Sequence, residues 1–250
     1  MRKTTVKLHY AEGGAAPLTA SLSLTILIVS FVFIVFPGID LAVSRWFADG
    51  EVFPLGENAV LKAIRDFNRT VPYSLLPLMP VIVAAYALWP RRLHFFAPHK
   101  AFYVVASFAM GPGLVVQIGK SFFGRPRPAG LVEFGGAAEF SPVWQFAGLC
   151  SRSCSFPSGE AALAAAALSV LVFVPVTARK LIGIIAALFF LFAALNRVLF
   201  GAHFLSDVLV AWLATLWVMG WLWSHIAPNA DRIDDAVRRW AGPMRRGMFR

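Results

Sequence analysis

The residues best suited to chemistry are Arg197, His203 and Asp207, in the stretch Asn196-Arg197-Val198-Leu199-Phe200-Gly201-Ala202-His203-Phe204-Leu205-Ser206-Asp207. An arginine offers a planar fork of donors for phosphate or carboxylate. His203 is a candidate nucleophile. Asp207 follows four residues later, a spacing that on a helix would set a carboxylate beside the imidazole and fix its tautomer. Two other polar stretches complement this one. Lys120-Ser121-Phe122-Phe123-Gly124-Arg125-Pro126-Arg127-Pro128 supplies cations, and Ser155-Phe156-Pro157-Ser158-Gly159-Glu160 reads as the start of a helix. Lys120, Arg127 and Arg197 around one small volume would clamp a transferring phosphoryl group, whose charge spreads over three equatorial oxygens. Backbone N–H groups at Ser158 and Gly159, aided by the helix dipole, would add to the anion site. Arg125 divides evenly between such a role and a place in an extended, solvated exit.

The elements that position these stretches are apolar. The chain has 250 residues, 58% hydrophobic and 14% charged, with a mean hydropathy of +0.69, values foreign to a soluble domain. Six runs read as membrane helices, at 18–36, 73–89, 101–118, 161–176, 181–199 and 208–226, forming an all-α integral-membrane bundle. The run at 18–36 is long for a signal-peptide core and precedes no small-residue cleavage site, so it reads as a retained span. Residues 1–17 and 227–250 read as cytoplasmic tails, the second basic. Between 37 and 72 lies a polar loop with a short interfacial helix near 39–47. The net charge of +10 does not signal nucleic acid, because the basic residues form no stripe interleaved with aromatics. Fourteen of the 23 lysines and arginines fall in the two tails and the turns at 90–100 and 177–180. By the positive-inside rule both termini are cytoplasmic and the polar stretches face outward.

Lys120 with six residues before Arg127-Pro128, then Pro157-Ser158-Gly159, then Arg197 with five residues before His203 and three more before Asp207, resembles the three-part signature of the type 2 phosphatidic acid phosphatase (PAP2) superfamily. That superfamily includes lipid phosphatases, lipid phosphotransferases and vanadium haloperoxidases. Each motif is weak alone, but three in order are specific. The resemblance implies a PAP2/haloperoxidase-like core, with His203 forming a phosphohistidine and Asp207 orienting it. Lys120, Arg127, Arg197, Ser158 and the Gly159 amide would hold phosphate, with no metal or other cofactor. Two positions depart from the pattern. Asn196 stands where the family has serine, and it retains a donor for phosphate. Glu160 stands where the family has the histidine that protonates the leaving group, a departure that resembles some lipid A phosphatase-like members. Glu160 is therefore a candidate acid, although it would equally serve to hold a neighbouring arginine or to complement the helix dipole.

The resemblance and the topology together imply a phosphatase acting on a lipid phosphomonoester or pyrophosphate at the periplasmic face of a bacterial inner membrane. Phosphatidic acid, phosphatidylglycerol phosphate, undecaprenyl pyrophosphate and lipid A are the candidate substrates, and membrane lipids are the surroundings. The alternatives are a phosphotransferase using the same intermediate and a non-catalytic lipid-phosphate binder or transporter. Cys150 and Cys154, on the oxidising face, read as a disulfide stiffening the approach to Ser158.

Overall fold

The computed structural model describes residues 15–150 and 153–244. Most of the expected N-terminal tail and the last six residues lie outside that range. Five helical stretches are long and apolar enough to cross a membrane: Pro17–Val35, Ala59–Leu88, His94–Gly130, Val176–Leu199 and Leu205–Trp240. The helices within and between them are α1 (Ala15–Val35), α2 (Gly38–Phe47), α3 (Ala59–Ser74), α4 (Leu78–Leu88), α5 (Pro98–Phe108), α6 (Val116–Phe123), α7 (Gly159–Ala167), α8 (Val176–Leu199), α9 (Leu205–Ile226) and α10 (Ala230–Trp240).

Two spans differ from the sequence expectation. The fourth run is a shorter apolar segment, Gly159–Phe173, with α7 at its start. Ala161 to Ala167 are all buried, so α7 is the interior post of the bundle rather than a lipid-facing span. Its alanines let α8, α9 and α3 pack closely around it. The second difference lies in the expected loop at 37–72. Its latter part is α3, whose apolar Leu61, Ile64, Phe67 and Val71 recur at helical spacing between charged residues. Asn58 caps α3, its Oδ1 accepting from the Val60 and Leu61 amides, both at 3.0 Å.

The outer faces of α1 and α8 carry exposed Leu24, Leu27 and Phe31, and Leu181, Ile185 and Leu188. Such apolar faces suit lipid contact. A seven-residue π-helical turn, Ala109–Val115, joins α5 to α6 around Pro112, which cannot donate a backbone hydrogen bond. Gly119 on α6 approaches the Phe156–Pro157 turn so closely that a Cβ there would strike Pro157. That contact brings Lys120 alongside the Pro157-Ser158-Gly159 turn. At the other end of the bundle, α10 is pinned to α5, where Asp234 accepts from the His99 amide and faces its Nδ1, both at 3.0 Å.

Candidate active site

Backbone hydrogen bonds stitch the three polar stretches into one body. Ser155 donates to the Arg125 carbonyl at 2.8 Å, Ala129 to that of Gly201 at 2.9 Å, and Ser158 to that of Asp207 at 3.2 Å. After α8 the chain turns at Gly201, which has φ +61° and where a Cβ would strike Phe53. The Ala202 and His203 amides fold back onto the Arg197 carbonyl at 3.1 and 3.3 Å. Arg197 and His203 are thus locked at the junction of α8 and α9.

These elements enclose a cavity of about 250 Å³ lined by Arg69, Tyr73, Pro112, Val116, Gln117, Lys120, Arg127, Gly159, Glu160, Leu163 and His203. Of the residues singled out in the sequence, Lys120, Arg127, Gly159, Glu160 and His203 meet here. His203 is 2% exposed. Its Nδ1 lies 2.7 Å from the Ser155 carbonyl, an acceptor only, so Nδ1 carries the proton and Nε2 keeps its lone pair. Burial, followed by the charges of Arg127, Arg197 and Lys120, pushes the imidazole pKa well below its usual value. The ring is held neutral, the form a nucleophile requires.

Asp207 does not bond the imidazole directly, as its i,i+4 spacing suggested. Its Oδ2 is 4.0 Å from His203 Nδ1. The carboxylate is occupied elsewhere: Oδ2 accepts from Ser155 Oγ at 2.5 Å and from the Phe204 amide at 2.9 Å, and Oδ1 accepts from Arg125 at 2.5 Å. Asp207 is therefore linked to His203 by way of Ser155, and it caps α9 in the same position. Ser155 carried no signal in the sequence beyond its place in the middle stretch.

Arg125 is neither a phosphate ligand nor part of a solvated exit. It is 1% exposed. Nε donates to the Ser141 carbonyl at 2.7 Å, Nη1 to Ser206 Oγ at 2.9 Å as well as to Asp207, and Nη2 to Asp40 at 2.9 Å. Its guanidinium also stacks over Phe204, 4.1 Å from the ring centroid. Asp40, on α2, in turn accepts from the Ser206 amide at 2.9 Å and its hydroxyl at 2.5 Å. A buried chain thus runs from Asp40 through Arg125 and Asp207 to Ser155 and His203.

Ser158 caps α7, its Oγ accepting from the Ala161 amide at 3.3 Å, and its own amide is spent on Asp207. It shapes the anion site without lining it. Asn196 turns away from the cavity: a neighbour of Arg197 on α8, it points about 100° around the helix and donates to the Leu61 carbonyl at 2.8 Å. Arg127 Nε donates to the Ser153 carbonyl at 2.7 Å. Ser153 lies in the small loop closed by the Cys150–Cys154 disulfide, whose Cα atoms are 5.6 Å apart.

Glu160 sits between two arginines. Oε1 accepts from Arg69 Nε at 2.7 Å and Nη2 at 2.5 Å, while Oε2 pairs with Arg197. Arg197 is not among the residues that line the cavity; its guanidinium is 5.3 Å from the Phe200 ring centroid. Arg69 was hidden in the sequence among the charges of the supposed loop. Its one available signal was the helical apolar spacing of α3 around it.

A sequence pattern described as the PAP2 superfamily matches residues 100–232, more than half of the chain. This chain belongs to the PAP2 superfamily. Among its relatives, the lipid A 4'-phosphatase of Rhizobium leguminosarum is 34% identical over 209 residues, covering 74% of this chain and 86% of that protein. The lipid A 4'-phosphatase of Francisella tularensis subsp. novicida is 27% identical over 180 residues, covering 70% and 81%. The fold is similar to that of the PAP2-type phosphatidylglycerolphosphate phosphatase of Bacillus subtilis, with a TM-score of 0.55 at 23% identity, covering 82% of this chain and 93% of that one. As a PAP2 protein, the chain carries all three motif segments within the matched region.

Proposed function

We propose that this PAP2 protein hydrolyses the phosphate monoester of a lipid A-type glycolipid, at the sugar 4' position, through a phosphohistidine on His203. The observation that carries this reading is a neutral, buried His203 whose Nε2 is left for a cavity lined by Arg69, Lys120 and Arg127. Nε2 attacks phosphorus, the bond to the lipid oxygen breaks, and water then releases phosphate from the imidazole. The cations and the N-terminal amides of α7 neutralise the oxygens in flight. The substrate class is suggested by the relatives, named lipid A 4'-phosphatases. Glu160 is better read as the holder of Arg69 and Arg197 than as the acid, because both its oxygens face arginines.

The site lies at one end of the bundle, where α6 and α8 end and α7 and α9 begin. The basic turn at 90–100 and α10 lie at the other end. With the positive end cytoplasmic, the site opens to the periplasmic side of a bacterial inner membrane. The test is phosphate release by the purified full chain in detergent. The panel is lipid A, phosphatidic acid, phosphatidylglycerol phosphate and undecaprenyl pyrophosphate, with products resolved by mass. Loss of the 4' phosphate from lipid A as free phosphate, faster than from the others, supports the reading. Release from glycerolipids alone would refute the substrate class, and transfer to a second lipid would refute hydrolysis.

A further inference from the structure

The two positions at which the chain departs from the PAP2 pattern contact the same helix. Glu160, in place of the histidine, accepts from Arg69 through its carboxylate and from Asn68 Nδ2 through its backbone carbonyl at 3.1 Å. Asn196, in place of the serine, donates to the carbonyl of Leu61. Leu61, Asn68 and Arg69 all lie on α3, about two turns apart, and α3 precedes every motif. Asn68 is 1% exposed, so it is a built contact rather than a surface accident. The two departures thus staple α3 to the site, and α3 brings one guanidinium to the cavity wall.

We propose that the Arg69–Glu160 pair replaces the missing leaving-group histidine, with Arg69 as the substrate-contacting residue and Glu160 as its positioning residue. The proposal rests on the phosphatase reading and assigns the leaving-group side of that site. Glu160 occupies the histidine's place in the chain, yet Oε1 accepts from Arg69 and Oε2 is ion-paired with Arg197, so neither is placed to hand over a proton. Arg69 Nε and Nη2 bond Glu160, which leaves donors of the five-donor fork for the cavity it lines. A guanidinium beside the leaving oxygen stabilises developing negative charge without losing its proton. As the His203 Nε2–phosphorus bond forms, the phosphorus–oxygen bond to the lipid breaks and its electron pair moves onto the lipid oxygen. That oxygen takes a proton from a cavity water. The resulting hydroxide attacks the phosphohistidine, returning the imidazole and releasing phosphate.

The experiment compares wild type, Arg69→Gln, Arg69→Lys, Glu160→Gln and the Arg69→Gln/Glu160→Gln double variant. Each is assayed in detergent on lipid A and on p-nitrophenyl phosphate, whose leaving oxygen needs little help. Arg69→Gln is expected to lower kcat on the lipid about 10²-fold, the scale of removing one preorganised donor, and to lower it far less on the aryl ester. Arg69→Lys, which keeps the charge and controls for folding, recovers part of the loss. Glu160→Gln follows the same order with a smaller effect, and the double variant is no worse than Arg69→Gln, because Glu160 acts through Arg69. Wild-type kcat on the lipid holds steady between about pH 7 and 9, where an imidazolium donor would be lost but a guanidinium is not. Equal losses on both substrates, or none, would overturn the inference while leaving the phosphatase reading intact. A wild type inactive on both would overturn the two together.

Discussion

Removing Arg125 should destabilise the protein more than removing any cation of the cavity. Its side chain is 1% exposed and is the cation between two buried carboxylates, Asp40 and Asp207, which are 1% and 0% exposed. Arg125→Met leaves both carboxylates without their counter-charge and strips the Ser141 carbonyl of a donor. Breaking a buried pair from one side costs about 3–5 kcal/mol. For a chain of this size each kcal/mol moves the melting temperature by about 2–4 °C, so a fall of about 6–20 °C is expected. The assay is thermal unfolding in a mild detergent, followed by tryptophan fluorescence. Adding Asp40→Asn to Arg125→Met removes one stranded charge and should recover part of the loss. Arg125→Lys should fall between, because an ammonium lacks the fork that reaches Ser141, Ser206, Asp207 and Asp40 together. A shift of Arg125→Met below about 2 °C, under 1 kcal/mol by that scaling, would refute the reasoning.

Three other outcomes are expected. His203 has a folded pKa well below the ordinary 6.5, so on acidification the unfolded chain takes up the proton first. Its contribution to stability is complete above about pH 6.5 and lost below it, by up to about 1.4 kcal/mol per pH unit. Melting curves of wild type against His203→Gln as the pH falls below about 6.5 check this, and identical slopes would contradict it. Reducing the Cys150–Cys154 bridge should weaken substrate binding more than turnover, since its loop holds Arg127 through the Ser153 carbonyl. Kinetics and maleimide labelling before and after reductant measure this, and an unchanged KM in fully labelled protein would contradict it. Fusion of a reporter active only in the periplasm to the C-terminus should stay silent, and a strong signal would reverse the orientation.

The sequence displayed what is local or long. Uniform apolar runs reported most of the spans, and the stretch from Arg197 to Asp207 falls at the α8–α9 junction, from which His203 reaches the cavity. Helix α3 was obscured because Lys62, Arg65, Asp66 and Arg69 gave its exposed face the composition of a loop. The run at 161–176 appears as the apolar segment Gly159–Phe173, whose alanines read the same in sequence whether lipid or protein surrounds them. The partnership of Asp40 with Ser206 spans 166 residues and leaves no pattern in a single chain. Arg125 was ambiguous for the same reason: its acceptors, Ser141 apart, lie more than 80 residues away. The i,i+4 relation of His203 and Asp207 was legible, but not that Ser155 comes between them.

The covalent role of His203 is tested most directly by rapid quench with substrate carrying a labelled phosphate. The account predicts label on the protein that is acid-labile and base-stable, maps to His203, appears before free phosphate, and is absent from a folded but inactive His203→Ala variant. Undiminished phosphate release by His203→Ala, or label on another residue, would contradict it.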